Sequence, residues 1–234
     1  MSFEESKLLL NQAKITLQEI ESSYDHYLSL KDVSVELQLK IKDFLDKVNP
    51  ALDYAAFKIF TTYCAKYVSP EKLNRAESIV YFPYKKNITD FEDYLKKVFP
   101  NLVADKPDIV DIFKKYQPFP ARSKWLYYLR ELVSHNKHRN FTKQSLRQTT
   151  NINYLNLPGG NQLIGVTLVT EGNGQPISIN GQHVDLENSP HNMGFNGSIE
   201  TDFIFKDIDQ PVLKTLKRIY ASAPTVIKDL EQII

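Results

Sequence analysis

The sequence predicts an α+β fold: an N-terminal helical bundle with a kinked long helix, then a small antiparallel β-sheet, then C-terminal helices that return to the bundle. Apolar residues recur at helical spacing through the first 143 residues, and the spacing becomes strand-like from residue 144 to 206. Helical spacing resumes after residue 207. We therefore expect one helical domain, residues 1–143 and 207–234, which carries residues 144–206 as an antiparallel β insertion or cap.

Two long helices come first. Apolar residues recur every three or four positions over residues 10–27, and a second series covers residues 37–59. The second series stays in phase through Pro50, which removes a backbone donor and crowds the preceding turn. We expect one long helix kinked at Pro50; the alternative is that Asn49 and Pro50 begin a separate helix.

Three shorter helices are predicted next. Thr89 precedes "DFEDYLKKVF", whose first turn is acidic, and Pro107 begins "PDIVDIFKKY", which has two lysines near its end. Both patterns match the helix dipole, and Thr89 is the predicted N-cap of the first helix. The third helix is "ARSKWLYYLRELVSHNKH", residues 121–138. Its predicted buried side consists of Trp125, Leu129, Leu132 and Val133.

The chain is predicted to end in helical structure. Asp209 and Pro211 mark a helix start, and apolar spacing follows them. We expect Pro224 to interrupt this helix, because an interior proline lacks the backbone donor that the helix needs. The segment "TVIKDLEQII" then forms the closing helix, with its apolar side facing the bundle.

The predicted strands are rich in β-branched and aromatic residues. They include "NQLIGVTLVT" and "GSIETDFIFK", while "PISINGQHVDL" carries Asn180-Gly181 between two alternating stretches and predicts a type I′ hairpin. The glycine-rich segments between strands are turns, because none is followed by a helix with the lysine and hydroxyl residue of a phosphate loop. The edges of such a sheet need a cover, and a homodimer contact is one expected solution.

The charge balance limits the partners. The chain has 29 basic and 28 acidic residues, so no overall field draws it to nucleic acid or a membrane, and any phosphate site must be local. Cys64 is the single cysteine, which excludes an intrachain disulfide; with a start that lacks a secretion signal, it predicts a cytoplasmic location. The sequence shows neither a membrane-length apolar run nor a cofactor or zinc motif, so we predict no membrane partner, no cofactor and no metal.

One segment concentrates ionisable side chains: residues 134–141 read "SHNKHRNF". It lies at the C-terminal end of a predicted helix, where cations match the helix dipole, so a charged and capped last turn is one interpretation. A site for an anion or for proton transfer is another. His135 and His138 titrate near neutral pH, and Lys137 and Arg139 can bind phosphate.

This segment is the last of four short motifs that occur in a fixed order. The chain has "NPALDYAAF" at 49–57, "YFPY" at 81–84, "YQPFP" at 116–120 and "LRELVSHNKHR" at 129–139. They resemble the landmarks of a large group of uncharacterised bacterial proteins: Asn-x-Arg-x-Ala-Leu-Asp-His, Phe-Pro, Gln-Pro-Phe or Gln-Pro-Tyr, and Asn-x-Asp-Lys-His-Arg. The resemblance covers roughly residues 40–140. The matching residues are Ala51, Leu52, Asp53, Phe82, Pro83, Gln117, Pro118, Phe119, Lys137, His138 and Arg139.

The chain departs from those landmarks in two of them. Asn49 and Tyr54 stand where the group has Arg and His, and Asn136 stands where it has Asp. The Arg and His of the group are similar to the Arg-x4-6-His signature of HEPN ribonucleases, which implies metal-independent RNA cleavage. Arg130 and His135 repeat that spacing at another place in this chain.

Asp53 lies among apolar neighbours on the long helix, where an unpaired carboxylate would be costly to bury. We expect it to reach Lys137, His138 or Arg139 on a packed neighbouring helix. Asp53, His138 and Arg139 would then form a structural clamp between two helices. The alternative is that the clamp engages only some of the basic residues and the others face a cleft.

Two further sets of residues are candidates for binding. His183, Asp185 and Glu187 alternate along one predicted strand with His191 nearby, as at a metal-binding edge, but a solvated outer face is the preferred interpretation. A group of aromatic residues could stack on nucleobases, but core packing is the preferred interpretation at helical spacing. This group is Tyr81, Phe82, Tyr84, Trp125, Tyr127 and Tyr128.

Together these observations favour a bacterial cytoplasmic binding or interaction module over an enzyme. Its expected ligand carries an anionic group such as phosphate, as in a nucleotide or RNA, and binds Lys137, His138 and Arg139. One alternative is a metal-independent ribonuclease or phosphodiesterase, with His135 or His138 as general base and Arg130 or Arg139 stabilising the anionic transition state. The other is a non-catalytic structural scaffold.

Overall fold

The computed structural model describes residues 3–119, 124–137, 141–157, 159–172, 174, 177–179, 182–184, 186 and 194–234, with the backbone alone for 135–137, 179, 182 and 183. The helices are α1 (Glu4–Ser29), α2 (Val35–Ile59), α3 (Pro70–Glu77), α4 (Ile88–Val98), α5 (Leu102–Asp105), α6 (Pro107–Lys115), α7 (Lys124–Lys137) and α8 (Val212–Glu231). The strands are β1 (Gln144–Asn156), β2 (Gln162–Glu171), β3 (Ser178–Ile179), β4 (Gln182–His183), β5 (Phe195–Phe205) and β6 (Gln210–Pro211). The fold is α+β, as the sequence predicts.

The two long helices α1 and α2 pack against each other and form the centre of the bundle. Their predicted apolar faces are buried. α2 begins after Ser34, whose hydroxyl accepts the Leu37 N–H, and it runs without a break through Pro50. The alternative of a separate helix starting at Asn49 is therefore wrong. A short π-helical turn, Phe60–Cys64, continues α2.

The shorter helices confirm the predicted positions and correct one cap. α6 begins at Pro107 and has its lysines in the last turn, as expected. α4 is capped by Asn87, not Thr89: the Asn87 Oδ1 accepts the Asp90 N–H at 2.8 Å. Asn87 has the extended backbone of an N-cap, whereas Thr89 already lies inside the helix. In α7, the predicted inner residues Trp125, Leu129, Leu132 and Val133 are all buried.

The chain ends in one helix, α8, which continues through Pro224. The predicted interruption at this proline is wrong. An interior proline costs about 3 kcal/mol. The apolar residues stay in helical phase on both sides of it, however, and Ile219, Ala223, Val226 and Leu230 are fully buried. α8 contacts α1, α2, α6 and α7, so burial along its whole length outweighs the local penalty.

The main sheet has the strand order β2-β1-β5-β6, with antiparallel pairing throughout. Its longest strand, β1, pairs with both β2 and β5. β1 was not predicted as a separate strand, since "QSLRQTTNINYLN" is largely polar. β3 and β4 pair as a hairpin in which Ile179 is opposite Gln182. The predicted turn residues Asn180 and Gly181 lie outside the described residues.

Two separate apolar clusters stabilise these elements. The larger cluster fills the helical bundle and takes in the bundle end of the sheet, including Leu146, Phe203 and Phe205. The smaller one lies at the far end of the sheet, where Ile152 and Leu155 of β1 pack with Ile177, Val184 and Leu186. The sheet is thus anchored in the bundle at one end and has its own small core at the other. No helix in the described part of the chain is both long and apolar enough to cross a membrane.

Candidate functional site

The loop 80–85, between α3 and α4, has neither helical nor strand structure, and its backbone is held by side chains from four directions. Phe82 shows this most directly. Its N–H donates to Asp53 Oδ1 at 2.9 Å, and its carbonyl accepts from Arg130 Nη2 at 2.9 Å. An acidic side chain of α2 and a basic side chain of α7 therefore bind the same residue of the loop.

Gln117, which follows α6, holds the next part of the loop. Its side chain is fully buried; Nε2 donates to Pro83 O at 2.7 Å and to Phe113 O at 3.0 Å, while Oε1 accepts the Lys85 N–H at 2.9 Å. A buried amide without partners would be destabilising by about 1–3 kcal/mol. Here the Gln117 side chain makes the hydrogen bonds to the loop backbone that a neighbouring β-strand would otherwise make.

Tyr94 of α4 completes the loop's set of partners. Its hydroxyl donates to Tyr81 O at 2.9 Å and accepts the Tyr81 N–H at 3.3 Å. Burial raises the pKa of Tyr94 to about 12. The hydroxyl therefore keeps its proton at neutral pH and remains a donor.

A compact polar cluster of Asn49, Asp53 and Arg130 lies behind the loop. Arg130 Nη2 forms an ion pair with Asp53 Oδ1 at 2.9 Å, Arg130 Nη1 donates to Asn49 Oδ1 at 2.5 Å, and Asn49 Nδ2 donates to Asp53 Oδ2 at 3.0 Å. The Asp53 and Arg130 side chains are only 18% and 15% exposed. Each charged group is thus paired and further hydrogen-bonded, which a buried ion pair requires to be stable.

The described partner of Asp53 on the neighbouring helix is Arg130, whereas the prediction was Lys137, His138 or Arg139. Lys137 is the last residue of α7, and its side chain is not described. His138 and Arg139 lie outside the described residues, so their predicted clamp with Asp53 and their predicted ligand binding stay predictions. The same holds for His135, whose backbone alone is described.

Arg130 was a predicted catalytic candidate, and its surroundings indicate another role. Its terminal nitrogens already contact Asn49, Asp53 and the Phe82 carbonyl. Among the described residues, α7 supplies the guanidinium that meets Asp53. The arrangement positions the loop; a role for Arg130 in catalysis stays a prediction.

Of the proposed metal edge, only the backbone of His183 is described, in β4; Asp185, Glu187 and His191 lie outside the described residues. Within the described ranges, no group of three or more His, Cys, Asp or Glu side chains is placed to hold a metal ion. The lone Cys64 is buried, which raises the pKa of its thiol to about 12.

An open groove of about 410 Å³ lies in front of the cluster and is lined by Pro50, Asp53, Tyr54, Phe57, Val80 and Tyr81. Its aromatic residues are unusually accessible: Tyr54 is 53%, Phe57 37% and Tyr81 51% exposed. Most of the other predicted stacking aromatics belong to the core, with Phe82, Trp125 and Tyr128 buried. Tyr81 is the predicted aromatic residue that lines the groove.

Sequence reasoning missed Tyr54 and Phe57. A signal was present, because Pro50, Tyr54 and Phe57 follow helical spacing on a side of α2 different from its buried side. A second apolar stripe on one helix predicts a second contact surface.

Two lysines, Lys85 and Lys86, stand at the end of the loop that carries Tyr81. The Lys85 ammonium lies 4.8 Å from the centre of the Tyr94 ring, the ring whose hydroxyl binds the Tyr81 backbone. Lys86 forms an ion pair with Glu131 at 3.5 Å, but no carboxylate among the described residues lies within ion-pairing distance of Lys85. Lys85 is therefore available for an anion.

Comparison of the chain with protein-family models, curated proteins and solved structures gives no significant match.

Proposed function

We propose that this chain is a ligand-binding module of the bacterial cytoplasm, and that its groove receives the base of a nucleotide or of single-stranded RNA. The observation that carries the proposal is the pair of half-exposed tyrosines, Tyr54 and Tyr81, that line the groove together with Asp53. Stacking of a base on such a ring contributes about 1–3 kcal/mol and tolerates any base, because every base has a flat aromatic face.

The groove is preorganised for such a ligand. Tyr81 belongs to the loop 80–85, whose backbone is fixed by Asp53, Arg130 and Tyr94. Tyr54 is on α2, one residue after Asp53. Because both rings start from restrained backbone, little conformational entropy is lost when a base binds between them.

The phosphate would bind to cations beside the groove. Lys85 is available on the loop. Lys137, the last residue of α7, is a second expected contact. Such cationic groups would bind the phosphate by charge-assisted hydrogen bonds.

Calorimetric titration with adenosine, AMP, ATP and a short single-stranded RNA tests the proposal. Tyr54→Ala and Tyr81→Ala should each weaken binding about tenfold, as expected for the loss of one stacking contact. Tyr67→Ala is the matched control, since Tyr67 is 44% exposed but does not line the groove. Lys85→Ala, Lys137→Ala and Arg139→Ala should weaken binding of ATP more than binding of adenosine, since adenosine has no phosphate.

The ligands separate the competing interpretations. Tighter binding of RNA than of ATP identifies a strand as the ligand, and the reverse identifies a free nucleotide. If wild-type protein cuts RNA in the presence of EDTA, and His135→Ala or His138→Ala leaves the RNA intact, the protein is the predicted ribonuclease and the binding-module proposal is wrong. Binding of none of these ligands, or equal loss in Tyr67→Ala and Tyr81→Ala, would contradict the proposal.

A further inference from the structure

The outer edge of β2 is a second surface that could bind a partner, through the backbone N–H and C=O groups that face away from β1. β2 is the terminal strand of the sheet and pairs along its length with β1; no other strand in the described part of the chain pairs with it. Natural edge strands are usually protected by lysine, proline or inward charges. β2 has no charged residue or proline before Glu171, whereas β5 carries Glu200 and Asp202 and is partly covered by β6.

Hydrogen bonds at both ends of the β1–β2 pair show which backbone groups face outward. Gly172 N–H donates to Leu146 O at 2.7 Å, and Leu157 N–H donates to Asn161 O at 2.8 Å. In an antiparallel pair, alternate residues bond to the neighbour and the intervening ones point away. Thr167, Val169 and Glu171 therefore direct their N–H and C=O groups to the free edge, and Ile164 does so in the other half of the strand.

Gly165 allows side chains from both halves of β2, before and after it, to lie on the same face of the sheet. It has φ +65° and is left out of the pairing with β1, whose register is the same on both sides of it. At the same level of the sheet, the pairing of β1 with β5 shifts by one residue. Ile164 and Val169 are opposite Tyr154 and Thr149 of β1. They share the outer face, although they are an odd number of positions apart, because the irregular residue between them changes the alternation.

This outer face exposes apolar side chains. Ile164 is 66% exposed, the largest fraction among the large apolar residues that the structure describes, and Val169 is 57% exposed. Thr167 lies between them and donates to Asn151 Oδ1 at 2.9 Å. The opposite face of β2 packs against the small core through Leu163, Val166 and Leu168. Ile164 and Val169 therefore belong to neither apolar cluster of the described residues.

We propose that β2 pairs antiparallel with β2 of a second copy of this chain, with the twofold axis at Thr167. Thr167 then lies opposite Thr167 of the second copy. Because Gly165 adds one residue on each side, Ile164 meets Val169 of the second copy, and this contact occurs twice. A twofold interface must be self-complementary in this way.

The charges agree with this register. Gln162 lies opposite Glu171 of the second copy, so an amide meets a carboxylate and no like charges face each other. Glu171 is already paired with Arg147 at 2.9 Å, which removes its charge as an obstacle. The two sheets become one continuous sheet, and the outward backbone groups of Ile164, Thr167 and Val169 gain partners.

Sedimentation velocity over a series of concentrations tests the interface. Wild-type protein should form a dimer whose fraction rises with concentration, and the double variant Ile164→Lys/Val169→Lys should remain monomeric. The control is Val35→Lys/Val103→Lys, which places two lysines at helix positions that are 63% and 53% exposed. Equal melting temperatures of the two double variants show that both are folded.

Cross-linking tests the register separately. Thr167→Cys places two thiols opposite each other across the axis and should give a disulfide-linked dimer on oxidation. Val169→Cys should not, because two residues on each side of the axis separate its Cα atoms by about 14 Å. Cys64 is fully buried and should not react. The proposal is overturned if wild-type protein is monomeric at every concentration, if the lysines leave the dimer intact, or if Val169→Cys cross-links as fast as Thr167→Cys.

Discussion

The loop 80–85 and the edge strand β2 differ in how their backbone N–H and C=O groups find hydrogen-bond partners. The loop has no regular structure, yet Asp53, Arg130, Gln117 and Tyr94 bind its N–H and C=O groups. β2 is a continuous strand with one irregular residue, Gly165, yet its outward backbone groups have no strand beside them in the described part of the chain. Regular secondary structure and complete hydrogen bonding are therefore different properties of a segment.

The difference decides what each surface can bind. The backbone groups of the loop are hydrogen-bonded to side chains of the same chain, so the loop can contact a ligand mainly through the exposed ring of Tyr81, beside Tyr54. β2 offers the backbone itself together with Ile164 and Val169. The first surface suits a flat small ligand and the second suits another strand.

The largest expected effect comes from removing the cation that holds the loop. Arg130→Ala leaves Asp53 unpaired and the Phe82 carbonyl without its donor, so the free energy of unfolding should fall by about 3 kcal/mol. Urea denaturation measures the change. Lys217→Ala breaks an exposed ion pair with Glu21 and should leave the midpoint unchanged.

The same assay tests the predicted clamp. If His138 also contacts Asp53, His138→Ala should lower the unfolding midpoint as Arg130→Ala does. A midpoint equal to that of wild type would remove His138 from the clamp. If Arg130→Ala also had no effect, the loop would not depend on the buried pair.

Gln117→Ala should have the next largest effect. It leaves the Pro83 and Phe113 carbonyls and the Lys85 N–H without this partner, and should reduce the free energy of unfolding by about 2 kcal/mol. Gln210→Ala is the control, since its side chain makes an exposed bond to Asp209 O. Equal stability of the two variants would show that solvent can replace Gln117.

The edge strand should respond to backbone strain alone. A Cβ at Gly165 would meet nothing within 4 Å, so Gly165→Ala should be destabilising only through its positive φ, by about 1 kcal/mol. Gly165→Asn should be milder, because asparagine tolerates this conformation. Thermal unfolding of both variants decides the point, and a larger loss for asparagine than for alanine would contradict the strain argument.

The smallest effect concerns the protonation of the loop's tyrosine. The folded protein raises the pKa of Tyr94 to about 12, above its ordinary value near 10, so its contribution is complete below pH 10 and is lost as the pH rises to 12. Tyr94→Phe has no hydroxyl to ionise. Its free energy of unfolding should therefore fall less than that of wild type between pH 10 and pH 12. Other buried tyrosines add to the decline, so the readout is the difference between wild type and variant. Parallel curves would exclude Tyr94 as a titrating support of the loop.

Much of the candidate site could be predicted as a set of motifs but not as a geometry. Asp53, Phe82, Pro83 and Gln117 stood out in the sequence, and all four meet at the loop 80–85. The partner of Asp53 could not be read from the same pattern. The spacing of Arg130 to His135 marked it only as a catalytic candidate. Its pairing with Asp53 depends on the packing of α7 on α2, which brings it within 2.9 Å of the carboxylate.

Apolar periodicity is a local property of the chain, and it was enough to predict the α+β class, the buried faces of α1, α2 and α7 and the positions of several strands. Three features could not be predicted in this way: α8 continues through Pro224, the polar strand β1 lies inside the sheet, and Arg130 pairs with Asp53. Each of these depends on contacts between segments distant in sequence. Their burial and pairing energies exceed the local preferences that a single stretch of residues reveals.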